Sequence, residues 1–221
     1  MADSVAAVAT RPEASPPSGL PAGTKPLVTL SAATVDDADE LFAVMDDERV
    51  WAAGYAGGPS ARWADVAAAR ASLAAATHTA TGERQAYVVR LAVDSDLGTE
   101  GTVVGTSSLA EWVLGDKRVH LGWTAYGPRW WGTAVNPATK LAMLGHAFDD
   151  CGFERVKIQT DLINERSQAA IARLGATREG VLRHHLRRPD GTWRDTVVFS
   201  VIRDEWPQVR AGLLARLSCD S

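Results

Sequence analysis

From residue 27 onward the apolar positions change period several times, and each change predicts an element. Residues 27–34 (LVTLSAAT) read as a strand. Thr34 then offers an N-cap and Asp37 stands at the capping-box position. Leu41, Phe42 and Met45 form the apolar stripe of a first helix. Ser60 precedes an alanine-rich run and is expected to cap a second helix that continues to Ala76. Three strand-like runs follow: 85–93 (QAYVVRLAV), 101–113 (GTVVGTSSLAEWV) and 118–126 (RVHLGWTAY). Turn-like GTEG and GDK separate them, which predicts an antiparallel meander. A helix is predicted over about 136–151, a strand over 155–161, and a short helix over about 165–174 that Gly175 ends. Residues 180–188 and 193–202 flank a PDG turn and read as a hairpin, and 205–217 read as a final amphipathic helix. The order is β-α-α-β-β-β-α-β-α-β-β, then one more helix. It predicts an α+β fold, a mixed sheet of about seven strands flanked by helices, and not a Rossmann repeat.

The composition suits one soluble domain. The chain has 221 residues, 46% hydrophobic and 23% charged, and a formal net charge of -4. That balance supplies no global basic field, so direct nucleic-acid binding is not expected. No apolar run approaches the length of a membrane span, and no internal repeat is present. Residues 1–25 are rich in Ala, Pro, Ser and Gly and lack the basic start and apolar core of a signal peptide. They are expected to form a disordered tail ahead of a single domain over 26–221. Cys151 and Cys219 lie far apart with no CxxC or CxxH spacing, so neither a metal site nor a disulfide framework is expected. A reducing, cytoplasmic setting fits that usage.

Chemistry concentrates in PRWWGTAVNPATK (128–140), where small residues stand at the start of the third predicted helix. A helix start offers unpaired N–H groups and a partial positive charge, which suits a phosphate. Gly132, Thr133 and Ala134 are small enough to let it approach, and Pro137 fits the first turn. The alternative is a tight strand-to-helix turn over buried Trp130 and Trp131. Lys140, one turn in, could neutralise phosphate or be a solvated surface lysine. On the fourth strand, only His120 among its neighbours takes a proton near neutral pH, although a lone strand histidine is commonly structural. Glu111 on the adjacent strand is the other candidate base.

With the Gly-x-Ala turn between fourth strand and third helix, the element order resembles the GNAT superfamily of acyl-CoA N-acyltransferases from about residue 26 to 217. RWWGTA (129–134) meets its Gln/Arg-x-x-Gly-x-Gly/Ala mark literally. Counting from the following helix favours a register two residues later, with Trp131 in the Gln/Arg place and Asn136 in the last small place. Both registers share Gly132 and Ala134. The segment TDLINERSQAAIARLGATREGVLR (160–183), continued by DGTWRDTVVFS and EWPQV, is similar to Rim-type ribosomal-protein N-acetyltransferases.

The resemblance implies acetyl-CoA as cosubstrate, no metal, and a pyrophosphate over Trp131, Gly132, Thr133, Ala134, Val135 and Asn136, with Lys140 nearby. It implies that main-chain groups of Tyr126 pair with pantetheine and that its N–H polarises the thioester carbonyl. Asn164 would hold the pantetheine arm or simply be an N-cap. Ser167 would protonate the leaving thiolate or simply begin a helix. The basic hairpin with His184 and His185 would be solvated, or face an acidic substrate or the CoA 3′-phosphate. The implied reaction is direct attack of a primary amine on the thioester in a ternary complex. An α-amine (pKa about 7.7–8.0) needs less help than a lysine (about 10.4), which points to a peptide N-terminus or a small-molecule amine. Homodimerisation is left open. The rival readings are a catalytically silent acyl-CoA sensor and an interaction module of the same fold.

Overall fold

The computed structural model describes residues 9–12, 25–52, 54–76, 78–79, 82–188 and 190–219. In chain order the elements are β1 (Val28–Ala32), α1 (Ala38–Met45), α2 (Glu48–Ala52), α3 (Val66–Ala74), β2 (His78–Thr79), β3 (Gly82–Leu91), β4 (Val103–Val113), β5 (Arg118–Tyr126), α4 (Val135–Gly145), β6 (Arg155–Asp161), α5 (Glu165–Arg173), β7 (Thr177–Arg187), β8 (Trp193–Ile202) and α6 (Trp206–Cys219). Seven strands form one mixed sheet in the order β1-β3-β4-β5-β6-β8-β7, and β2 pairs with β3 outside that path. Neighbours are antiparallel except β5 and β6, which run parallel.

Alternation along the strands divides the sheet into two faces. Leu109, Leu121, Ile158 and Val201 point to the face that α4 and α6 cover, against Leu141, Phe148 and Leu213. Val88 and Ala125 point to the other face, where Leu41, Met45 and Trp51 of α1 and α2 close over them. Each buried side chain of this size contributes roughly 1.5–3 kcal/mol, so these two layers hold the sheet.

The capping box forms as expected. Thr34 N–H donates to Asp37 Oδ2 (2.8 Å), and Asp36 N–H donates to Thr34 Oγ1 (3.3 Å). Four expectations need correction. The cap of α3 is Asp65, whose Oδ1 accepts Ala68 N–H at 2.8 Å, and Ser60 lies in a 3-10 turn (Pro59–Ala61). Gly54, Gly57 and Gly58 take positive φ before Pro59, so the chain is turning where the helix was expected to start. The third long helix leaves α geometry at Gly145, and His146–Asp150 widen into a π turn spanned by His146 Nδ1 and Asp150 Oδ2 at 2.9 Å. The short elements α2 and β2 were not expected. Most of the tail expected over 1–25 lies outside the described residues, but 9–12 dock on the domain. Ala9 is buried in the main core, Thr10 N–H donates to Cys151 O (2.8 Å), and Arg11 pairs with Glu83. No described helix is long and apolar enough to cross a membrane.

Candidate active site

β5 and β6 pair from Arg118↔Arg155 to Leu121↔Ile158 and then part. The cause lies on β5. Between the pairs Thr106↔Ala125 and Ser108↔Gly122 it carries one more residue than β4, and Trp123 takes φ 48° there. Gly127 N–H donates to Val104 O at 3.1 Å. Gly105 and Tyr126 are therefore a pair without mutual hydrogen bonds, and the N–H and C=O of Tyr126 point into the gap. The Trp131 indole N–H donates to that carbonyl (2.8 Å), and the Tyr126 N–H stays unclaimed among the described residues. A cleft of about 930 Å³ follows the gap.

The start of α4 forms one end of the cleft. Gly132 has φ 77°, and a Cβ there would meet nothing within 4 Å, so its backbone is bare. Thr133 Oγ1 donates to Trp130 O (2.8 Å) and accepts Val135 N–H (3.3 Å). Pro137 has no N–H. The N–H groups of Gly132, Thr133, Ala134 and Asn136 meet no acceptor among the described residues. Gly132, Thr133 and Asn136 line the cleft, whereas Ala134 does not. The Val135 side chain is fully buried in the core, and its N–H donates to Thr133 Oγ1. Arg173 and Arg216 also line this cleft, and the Arg166 guanidinium lies 3.7 Å over the Trp131 ring.

Asn164 caps α5 by accepting Ser167 N–H at 2.9 Å, and both residues line the cleft. Ser167 Oγ makes no hydrogen bond among the described residues. Lys140 is not a surface lysine. It is 5% exposed, and its Nζ donates to Thr124 Oγ1 (2.6 Å) and Ser107 Oγ (3.4 Å) behind the β5 bulge. With no carboxylate beside it, burial pulls its pKa down to about 7.

His120 lies on the cleft wall on the face opposite α4, and is 3% exposed. Its ring needs the space beside Gly122, where a Cβ would sit 2.9 Å from Nε2. Glu111 Oε2 is 3.2 Å from His120 Nδ1 and accepts from Lys157 Nζ at 3.0 Å. Glu111 itself stays off the cleft wall. With Nδ1 donating to Glu111, His120 Nε2 keeps a lone pair, and that buried atom has no partner among the described residues. Burial lowers the His120 pKa, Glu111 opposes the shift, and Lys157 and Arg194 add to it. Sequence reasoning missed Lys157, Arg84 and the Arg166–Trp131 contact. The available signal was His-x-Gly on one strand, because residues two apart share a face and the glycine leaves room for the ring.

A family model described as an acetyltransferase (GNAT) domain matches residues 28–177, and the chain belongs to that family. A T. thermophilus protein described as an acetyltransferase is 32% identical, with 90% of this chain and 100% of that chain covered and a TM-score of 0.72. A GCN5-related N-acetyltransferase from Brucella melitensis is 22% identical, with 95% and 88% covered and a TM-score of 0.79. Mycobacterium smegmatis RimJ, solved in complex with CoA-disulfide, is 18% identical, with 85% and 88% covered and a TM-score of 0.63. These last two show a shared fold. None of the curated proteins matches the chain.

Proposed function

We propose that this protein transfers an acetyl group from acetyl-CoA to a primary amine by direct attack in a ternary complex. The observation that carries the reading is the parted β5–β6 pair, with bare N–H groups of the α4 start at one end and the lone pair of His120 Nε2 in the same cleft. The residues fit the cosubstrate. A turn without side chains at Gly132, a helix start, and the cations Arg166, Arg173 and Arg216 suit phosphates. The relative solved with CoA-disulfide supports the same assignment.

Acetyl-CoA supplies an acyl group activated as a thioester. The chain's own residues do the rest. His120 Nε2 takes the proton of the attacking amine, and Glu111 fixes the tautomer through Nδ1 and stabilises the imidazolium that forms. Lys157 holds Glu111 in place. Tyr126 N–H donates to the carbonyl oxygen as charge develops there. Ser167 Oγ donates a hydrogen bond to the departing thiolate, and the proton taken up by His120 Nε2 is released to solvent after the thiolate leaves. Asn164 fixes the turn of α5 that carries Ser167. A base that is neutral at neutral pH suits an α-amine or another amine of low pKa, on a peptide N-terminus or a small molecule.

The test is release of free thiol from acetyl-CoA across α-amine peptides, amino acids, polyamines and lysine analogues. Amine-dependent release with a matching acetylated product is expected. Acetyl-CoA binding without turnover on any amine would leave only a binding module.

A further inference from the structure

The protein carries a net charge of -4, yet its main cleft is lined among the described residues by eight arginines and lysines and one carboxylate, Asp161. Asp161 is already held by Arg188, at 2.9 Å through Oδ1 and 2.7 Å through Oδ2. Anionic phosphates account for cations beside the α4 start. They do not account for Arg84, which sits on the opposite face of the sheet. On β3 it pairs with Ala110, and Ala110 pairs with His120, so the alternation puts Arg84 and His120 on one face. Its guanidinium lies 4.9 Å from the Trp123 ring centroid, and that ring is 4.9 Å from the His120 ring.

Arg84 is half-buried, and desolvation lowers its pKa, opposed by the Tyr55 phenol and by no carboxylate. Its Nε donates to Ser108 Oγ at 2.9 Å, and it reaches the Tyr55 hydroxyl. No described carboxylate pairs with it, although other half-buried arginines of this chain do find one, as Arg90 does with Asp37. A half-buried guanidinium on the face of the proposed base, one indole ring away from it and held by two hydroxyls and an aromatic face, lacks only a planar anion across its free edge.

We propose that the acceptor is an amine bearing a carboxylate close to its amino group, and that Arg84 binds that carboxylate while His120 faces the amine. This rests on the acetyltransferase reading. The carboxylate could be the α-carboxylate of a free amino acid or the side chain of Asp or Glu near a peptide N-terminus, and the two share the same chemistry at Arg84.

The experiment compares matched pairs on the full chain with acetyl-CoA. One arm sets free amino acids against their amides, and the other sets peptides with Asp or Glu at the second or third position against Asn or Gln. The wild type should favour the acid in at least one arm by about ten- to a hundredfold in kcat/KM, and that arm identifies the source. Arg84→Met should bring the ratio close to one, and Arg84→Lys should leave an intermediate ratio, with thermal unfolding of each variant confirming the fold. Equal kcat/KM for acid and amide in both arms, or a ratio that survives Arg84→Met, overturns the proposal. If no amine is acetylated, the acetyltransferase reading fails on its own, and calorimetric binding of the same pairs decides the Arg84 site. Acid-selective binding lost in Arg84→Met supports the site, and unselective or absent binding overturns it.

Discussion

Lys140 Nζ donates to Thr124 Oγ1 at 2.6 Å, which ties the second turn of α4 to the bulged end of β5 through an amine with no carboxylate beside it. The folded pKa of about 7 lies below the ordinary lysine value, so between pH 7 and about 10.4 the unfolded chain binds more protons than the folded one. Stability attached to this group is full above the unfolded pKa and is lost as pH falls toward 7. The melting temperature should therefore rise from pH 7 to 9. Lys140→Met should flatten that rise and add a few degrees at pH 7, about 2–4 °C for each kcal/mol. An unaltered pH slope in Lys140→Met would place the charge elsewhere.

Gly132→Val places a branched side chain at φ 77° and in the space above the α4 start. The strain should cost about 1–2 kcal/mol of stability. The acetyl-CoA KM should rise at least tenfold, because the added methyls fill the proposed phosphate path. Unchanged acetyl-CoA affinity in the folded variant would move the pyrophosphate away from this turn.

Ser167→Ala keeps the Asn164 cap, which uses the Ser167 backbone N–H. It should lower kcat by about ten- to a thousandfold with little change in the acetyl-CoA KM. Asn164→Ala removes the cap itself and should cost about 1 kcal/mol of stability while raising that KM. Steady-state kinetics at matched stability separates the two. Wild-type kcat in Ser167→Ala would assign stabilisation of the thiolate to water or another group.

Because His120 is held below its ordinary pKa, the enzyme limb of the kcat/KM profile should lie below about 6.5, separate from the later rise as an α-amine acceptor loses its own proton at about 7.7–8.0. Glu111 raises that pKa by hydrogen bond and charge, so Glu111→Gln should shift the limb to lower pH and reduce kcat by about ten- to a thousandfold. A limb that stays in place would detach Glu111 from the base.

Removing residues 1–25 takes away buried Ala9, the Thr10 bond to Cys151 and the Arg11–Glu83 pair. Thermal unfolding of the truncated chain should show a loss of about 1–2 kcal/mol. An unchanged melting temperature would mean that this docking contributes nothing.

Features decided within a few residues were legible in the sequence. Thr34 and Asp37 close their box, Asn164 caps α5, and the β-branched runs form the strands. Ser60 failed as a cap because the nearby glycines turn the chain first, a backbone effect that side-chain patterns do not report. Lys140 is a polar residue in a helix, and only the approach of Thr124 and Ser107 from two strands explains its burial. The trio of His120, Glu111 and Lys157 draws on three strands, so it needs the parallel β5–β6 register and the bulge at Glu111 (φ 53°) before its members meet. The docking of Ala9 is also a long-range fit, and composition there reads as tail.

The single additional residue at Trp123 makes β5 a strand of two phases. Before it, even-numbered His120 and Gly122 look toward the side of α1; after it, even-numbered Thr124 and Tyr126 look toward α4. One continuous backbone thus presents opposite sides to two compartments, so that whatever enters beside His120 and whatever lies along α4 can meet only where the strand changes phase. Excising that one residue would take the Trp123 ring from the His120 side and rotate every later side chain of β5 to the wrong compartment at once.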